Sequence, residues 1–414
     1  MQPTATPISW KRNLAVLWVA QVATTLAFSF TIPFYPIFFE ELGVTDVERA
    51  AFLAGISGWF MGLAMGLFAP IWGMVGDRFG RRRNIIRALV LGGTFLVISG
   101  YSQNSGQLMI SRFFIGAGSG VVPTIMAMVA THTPRERIAF ATGATQSALF
   151  LGIALGPLLG GIIYDNYGMR ASFWATGGVM FLAAALVLAF VREEFTKPTT
   201  SIKSPFEPFV DLWRLASSRA FWPLMLMVTL AMSGHMIPSP AVPGIVKNIE
   251  GGTESATVVG VVLMISGFAA AVSSLLLGWL SGRIGARTVF IWAAGLGAVG
   301  SVGPYFAPNL IWFALSAAAV GLVSGGVSAL LAGFVALRAP QGKLGVAFGA
   351  SQTAHAVGVA FAPLIGGLVA VTLGLRSTFL AGGVGLAMLF VLAVLYLAPR
   401  TPAPAQQTTE ETTS

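Results

Sequence analysis

Twelve apolar runs, each long enough to cross a bilayer, dominate this chain and leave it few ways to fold. They lie near residues 13–40, 50–75, 84–103, 106–130, 141–165, 170–191, 221–247, 256–280, 288–307, 309–336, 344–372 and 376–398. About 20 apolar residues suffice for one helical crossing. In lipid the backbone must satisfy its own polar groups, so runs of this length are predicted to be helices. Composition closes the alternative: 55% of the residues are hydrophobic and 9% are charged, against roughly 25% charged in a water-soluble domain. The expected fold is an all-α membrane protein with twelve transmembrane helices in two pseudo-symmetric six-helix bundles. The bundles are placed at residues 1–195 and 221–400, joined by a cytoplasmic linker at 196–220 and followed by a disordered cytoplasmic tail at 401–414.

Charge placement orients the spans. With the N-terminus inside, nineteen of the 24 Lys and Arg residues fall on the cytoplasmic side, Arg112 lies within a span, and only Arg49, Arg170, Lys247 and Arg376 lie outside. This is the distribution that the positive-inside rule demands. The net charge of +9 therefore reports topology, and no nucleic-acid partner is needed to account for it. The first apolar run is too long for a signal-peptide core and runs into Glu40 and Glu41 instead of a small-residue cleavage site. Cysteine is absent, which excludes disulfides and thiol chemistry. The three histidines, His132, His235 and His355, form no cluster with metal-ligand spacing. No metal and no cofactor is expected.

The two halves repeat. Gly152-x3-Gly156-Pro157-x2-Gly160-Gly161 returns 206 residues later as Gly358-x3-Ala362-Pro363-x2-Gly366-Gly367, and the same offset relates Gln146 to Gln352 and Arg170 to Arg376. Gly73, Arg78 and Gly80 return as Gly278, Arg283 and Gly285. A duplicated six-helix unit of parallel orientation points to lobes that rock around a midplane site.

Between the second and third runs stands Gly73-Met-Val-Gly-Asp77-Arg78-Phe-Gly80-Arg81-Arg82-Arg83. Gly80 permits a tight turn, Gly73 leaves room for another helix, and Asp77 can accept charge-assisted hydrogen bonds from arginines or helix N-termini. Such a cluster can latch one conformation and release it in another. The sequence resembles the major facilitator superfamily here, whose members carry a G-x3-D-R-x-G-R-R loop at this place. Two further motifs extend the resemblance over nearly the whole chain. Leu108-x3-Arg112-x3-Gly116-Ala-Gly118-Ser-Gly120 is similar to the family's arginine motif, with Gly116 and Gly120 expected to admit a close neighbouring helix. The fifth-span GP-x2-GG form resembles the motif of the twelve-helix drug/proton antiporter branch, with Pro157 bending the helix in a seal toward the outer side.

The resemblance implies a secondary transporter whose first, fourth, seventh and tenth spans surround a central cavity. Gln21, Thr25 and Phe28 share one face of the first span; Met232 and His235 precede Pro238-x-Pro240-x2-Pro243 on the seventh; Gln146, Gln352 and His355 lie deep in their spans. These are the candidate substrate-binding residues. No Asp or Glu lies in mid-span, so the candidates for proton coupling are Glu40, Arg112, His235 and His355, histidine being the side chain that titrates near neutral pH. Gly73, Asp77, Arg78, Gly80, Arg81, Arg82, Gly152, Gly156, Pro157 and Gly160 are the candidates for latching and gating. The implied activity is export of small, largely apolar or amphipathic compounds by alternating access with proton antiport. The expected partners are a small-molecule substrate, protons and the lipid bilayer around a monomer. The expected site is the bacterial inner membrane, with both termini cytoplasmic. A dedicated carrier of one metabolite, such as a sugar, lipid precursor or siderophore, stays open beside it. So does a non-transporting membrane sensor; a lipid-embedded enzyme has no nucleophile–base pair in its favour.

Overall fold

A computed structural model describes residues 9–134, 137–193, 207–219, 221–252, 255–339 and 344–397. Most of the linker, residues 194–206 and 220, and the whole of the tail from residue 398 lie outside the described residues, as does the side chain of Asp77. Among the described residues the protein is helical, with no strand. Eleven stretches are long and apolar enough to cross a membrane. One of them, 143–190, runs for 48 residues, about 70 Å at 1.5 Å per residue and more than twice the ~30 Å hydrocarbon thickness. It holds two spans that meet at Gly168, where the backbone leaves helical geometry at φ 79° and ψ 169°. Twelve spans result. They are Trp10–Glu41, Val47–Phe79, Arg81–Gly100, Ser105–His132, the two parts of Ile138–Phe190, Trp222–Ile249, Ala256–Ile284, Ala286–Phe306, Leu310–Arg338, Leu344–Leu373 and Ser377–Tyr396.

Short polar residues set the starts of these helices. Asp46 begins the second span by accepting the Arg49 N–H at 3.0 Å, and that bond lowers its carboxyl from the ordinary value. Asn104 and Asn309 cap the fourth and tenth spans alike, each accepting a backbone N–H three residues on at 3.0 Å. The duplication thus extends to the caps. It extends also to Gly80 (φ 101°) and Gly285 (φ 91°), which turn the chain between the second and third and the eighth and ninth spans. Arg170 and Arg376 each reach back to carbonyls that end a neighbouring span, Ser102 at 3.3 Å and Ala307 at 2.9 Å. The first and seventh spans are both interrupted by 3-10 turns, Ile32–Phe34 and Ser239–Ala241, near the ends that the charge distribution predicts to lie outside (the outer ends), where proline removes backbone donors.

One regularity is broken. The tenth span is a continuous helix, whereas the fourth is two helices, Ser105–Ala117 and Val121–His132. Gly120 stands at the break with φ 121°. Its expected part was to admit a neighbour; it supplies a backbone conformation that other residues rarely adopt, while Gly116 does meet the backbone of Met61.

Candidate functional site

The lobes meet along two pairs of helices, the second with the eleventh and the fifth with the eighth. Glycines make the approach possible. A Cβ at Gly62 would lie 2.6 Å from the Cα of Ala360, and one at Gly367 2.7 Å from the Cα of Phe52. In the second pair, a Cβ at Gly260 would lie 2.9 Å from the Cα of Leu158, and one at Gly161 2.8 Å from the Cα of Thr257. Gly161, Gly260 and Gly367 lie toward the ends of their helices away from the arginine loop, and Gly62 lies at the middle of the second span. Farther along the same helices, toward the arginine-rich side, a Cβ at Gly66, Gly73, Gly278 or Gly282 would meet no atom of the described residues within 4 Å. The helices therefore touch away from the arginine loop and diverge toward it. The space between the lobes opens on the arginine-rich side, the side expected to be cytoplasmic.

Two polar contacts close the outer side. The ammonium of Lys247 donates to the Glu40 carboxylate at 2.6 Å, joining the seventh span to the first. Asp165, at the outer end of the fifth span, accepts the backbone N–H groups of Ala256 and Thr257 at 2.9 and 2.8 Å and the Ser255 hydroxyl at 3.1 Å. Neither partner of these acids was predictable from local sequence.

The fifth-span motif is divided between two tasks. Gly152, Gly156 and Gly160 face Thr25, Ser29 and Phe30 of the first span inside the N-terminal lobe, while Gly161 and the carbonyl of Pro157 face the eighth span across the lobes. Gln21 and Thr25 are accordingly buried. The Thr25 hydroxyl donates to the Gln21 carbonyl at 2.8 Å, and neither amide atom of the Gln21 side chain has a partner among the described residues. Phe28 packs half-buried on the lobe's core. Across the molecule, Gln146 and Gln352 are exposed. Met232 abuts Gly358, with 2.8 Å from its Cβ to a carbon built there, and the Thr229 hydroxyl donates to the Ala354 carbonyl at 3.0 Å. These contacts hold the seventh span against the eleventh; His235 is exposed and His355 half-buried.

Arg112 is 3% exposed, so it does not reach the outer surface. Its guanidinium carbon lies 4.1 Å from the centroid of the Tyr35 ring, a cation–π contact in a low-dielectric place. Its Nε has no hydrogen-bond acceptor among the described residues.

The arginine loop is tied into its own lobe. The carboxylate of Glu193 accepts the backbone N–H groups of Arg81 and Arg82 at 2.9 and 2.8 Å, capping the third span. The Arg81 side chain donates to the Ala127 carbonyl at 2.9 Å and to Thr131 at 2.6 Å, and that of Arg82 donates to the Leu188 carbonyl. Arg78 and Gly73 are exposed. Arg87, counted by position with the cytoplasmic charges, instead points into the lobe. It donates to the Gly118 carbonyl at 2.9 Å and to Asn84 at 2.7 Å and lies 3.5 Å over the Trp72 ring. The Trp72 indole donates to the Ala117 carbonyl. The carbonyls freed by the break in the fourth span are thus occupied. The backbone geometry at Gly120, which apolar periodicity does not reveal, is what makes these partners necessary.

The sequence matches the family model described as Major Facilitator Superfamily over residues 17–253 and 224–413. It is 30% identical over 381 residues to the multidrug resistance protein MdtG of Proteus mirabilis (strain HI4320), covering 90% of this chain and 92% of that protein. With the MdtG of Enterobacter lignolyticus (strain SCF1) it shares 28% identity over 419 residues, 100% of this chain and 99% of that protein. Among solved structures it resembles the human organic anion transporter MFSD10, with TM-score 0.71 and 18% identity over 94% of this chain and 100% of that one. It also resembles a bacterial homologue of the human lysosomal transporter Spinster, with TM-score 0.75 and 14% identity over 96% of this chain and 100% of that one. At these identities the two structures speak to the fold.

Proposed function

The chain belongs to the major facilitator superfamily, and from that premise we propose that this integral membrane transporter exports small apolar or amphipathic compounds by alternating access, in exchange for protons. The observation that carries the reading is the divergence of helices that touch at Gly62 against Ala360 and at Gly260 against Leu158 but, among the described residues, meet nothing at Gly73 and Gly282. Two rigid lobes in contact along one half of their shared face can rock to contact along the other. The name printed for the MdtG relatives supports the substrate class.

In this reading Phe28, Gln146, Met232, His235, Gln352 and His355 meet the substrate, with Gln21 and Thr25 setting the first span on the fifth behind them. Thioether and aromatic side chains re-pack around ligands of different shape. His235 and His355 carry the exchanged proton. Glu40 serves as its outer acceptor when Lys247 releases it, and Arg112 organises the cavity wall. Gly73, Asp77, Arg78 and Gly80 with Arg81 and Arg82 form the cytoplasmic latch, engaged when the lobes close on that side. The protein works as a monomer in a bacterial inner membrane with both termini in the cytoplasm.

Purified protein in liposomes under an imposed pH gradient tests this directly. Several unrelated lipophilic cations or neutral drugs should each elicit proton flux, whereas a response to one sugar or other metabolite alone would replace the multidrug reading with a dedicated carrier. His235→Gln or His355→Gln should remove the flux while substrate binding persists. Full flux in both variants would exclude the histidines. Asp77→Asn should reduce flux at least about tenfold, equivalent to 1.4 kcal/mol, with insertion unchanged; normal flux would remove the latch role.

A further inference from the structure

The contacts of Asp165 have a counterpart in sequence. Gly161-x3-Asp165 repeats the spacing of Gly73-x3-Asp77, one pair at the outer end of the fifth span and the other at the cytoplasmic end of the second. At the outer end the pair is engaged with the opposite lobe. Gly161 leaves no room for a side chain against Ala256 and Thr257. One turn farther, the two carboxylate oxygens of Asp165 take the first backbone N–H groups of the eighth span. The first four N–H groups of a helix have no partner within it, and a carboxylate there also meets the positive end of the helix dipole. At the cytoplasmic end, Gly73 is exposed and a side chain there would meet nothing.

We propose that Asp165 is a positioning residue of the transport cycle, an outer-face anchor that holds the first turn of the eighth span against the fifth and thereby sets the population of the inward-open state. Asp165 caps the eighth span of the opposite lobe when the outer side is shut. The contacts are present in this state, and the cycle they bias rests on the transport reading above. Losing Asp165 removes three charge-assisted bonds made in one state of the cycle, two to backbone N–H groups and one to the Ser255 hydroxyl, so it shifts the balance between states without disturbing the packing of either lobe.

The chain has no cysteine, so single reporters can be introduced into the intact protein. Val259→Cys probes the outer crevice, where Val259 is 2% exposed and lies beside Glu40, Lys247 and Ser255. Gly282→Cys probes the cytoplasmic opening, at an exposed position on the face of the eighth span that bears Gly260 and Gly267. Each is labelled with a membrane-impermeant maleimide, in right-side-out and inverted vesicles respectively, with no substrate present, so the result is independent of what is transported. Asp165→Asn is nearly isosteric at an exposed position and preserves folding. It should raise the labelling rate at Val259→Cys about fivefold or more, the smaller end of typical coupling effects, and lower that at Gly282→Cys. Asp165→Glu should return both toward the parent rates. An unchanged rate at Val259→Cys would overturn the proposal. So would a rise at both reporters together, which marks general loosening, or equal behaviour of the Asn and Glu variants.

Discussion

Gly62→Val is expected to reduce transport at least about tenfold while leaving the N-terminal lobe folded. The Cβ alone would stand 2.6 Å from the Cα of Ala360 and 2.7 Å from its nitrogen, both backbone atoms that no rotamer change can move. Overpacking of this kind costs about 1–3 kcal/mol. Its full weight falls on the state in which the second and eleventh spans touch, because Gly62 faces the opposite lobe. A bias of 1–3 kcal/mol between two states changes their ratio by about 5–150-fold, so the variant should accumulate with its outer side open. The measurement is steady-state efflux together with the distance between spin labels at the outer ends of the second and eleventh spans. Unchanged efflux with an unchanged distance distribution would mean that this contact is not made during the cycle. Gly66→Val, one turn farther toward the cytoplasm and clear of neighbours within 4 Å, is the control.

The second large effect concerns stability. Arg87→Ala should destabilise the purified protein by about 2–5 kcal/mol, because the Gly118 carbonyl and the Asn84 amide oxygen lose a charged donor in the interior and the contact with the Trp72 ring is lost. Thermal unfolding in detergent reads the change. Arg87→Lys should recover only part of it, since a single ammonium cannot span two acceptors and lie flat over an indole. Wild-type melting of Arg87→Ala would show that the interrupted fourth span needs no such support.

Much of this architecture could be read before any coordinates. Apolar run length located all twelve spans, including the fifth and sixth, which the chain joins through Gly168 with little polar sequence between them. The duplication was visible in the GP-x2-GG repeat because close packing against the first and seventh spans constrains both copies to small residues, Gly156 opposite Ser29 and Gly366 opposite Ile237. What could not be read was pairing at a distance. Glu40 and Lys247 are 207 residues apart, and Asp165 meets the eighth span only because Gly161 lets it near. The two roles of glycine look alike in sequence as well. Gly116 and Gly120 share a spacing, yet one admits a helix and the other ends one. Arg87 sits close enough to the arginine loop to be taken for a cytoplasmic charge, and only the carbonyls exposed by that helix end reveal why it turns inward.

The interrupted fourth span gives the two lobes unequal mechanics. Arg112 rides on the outer piece, Ser105–Ala117, and the carbonyls of Ala117 and Gly118 at its end are held by Trp72 and Arg87 instead of continuing a helical ladder. The outer piece is therefore tied through those side chains to the second and third spans, and no continuous helical ladder links it to the cytoplasmic piece. The tenth span, unbroken from Leu310 to Arg338, transmits any twist along its whole length. One lobe has a break at the depth where the other has an unbroken rod, so the two pseudo-symmetric halves are not mechanically equivalent.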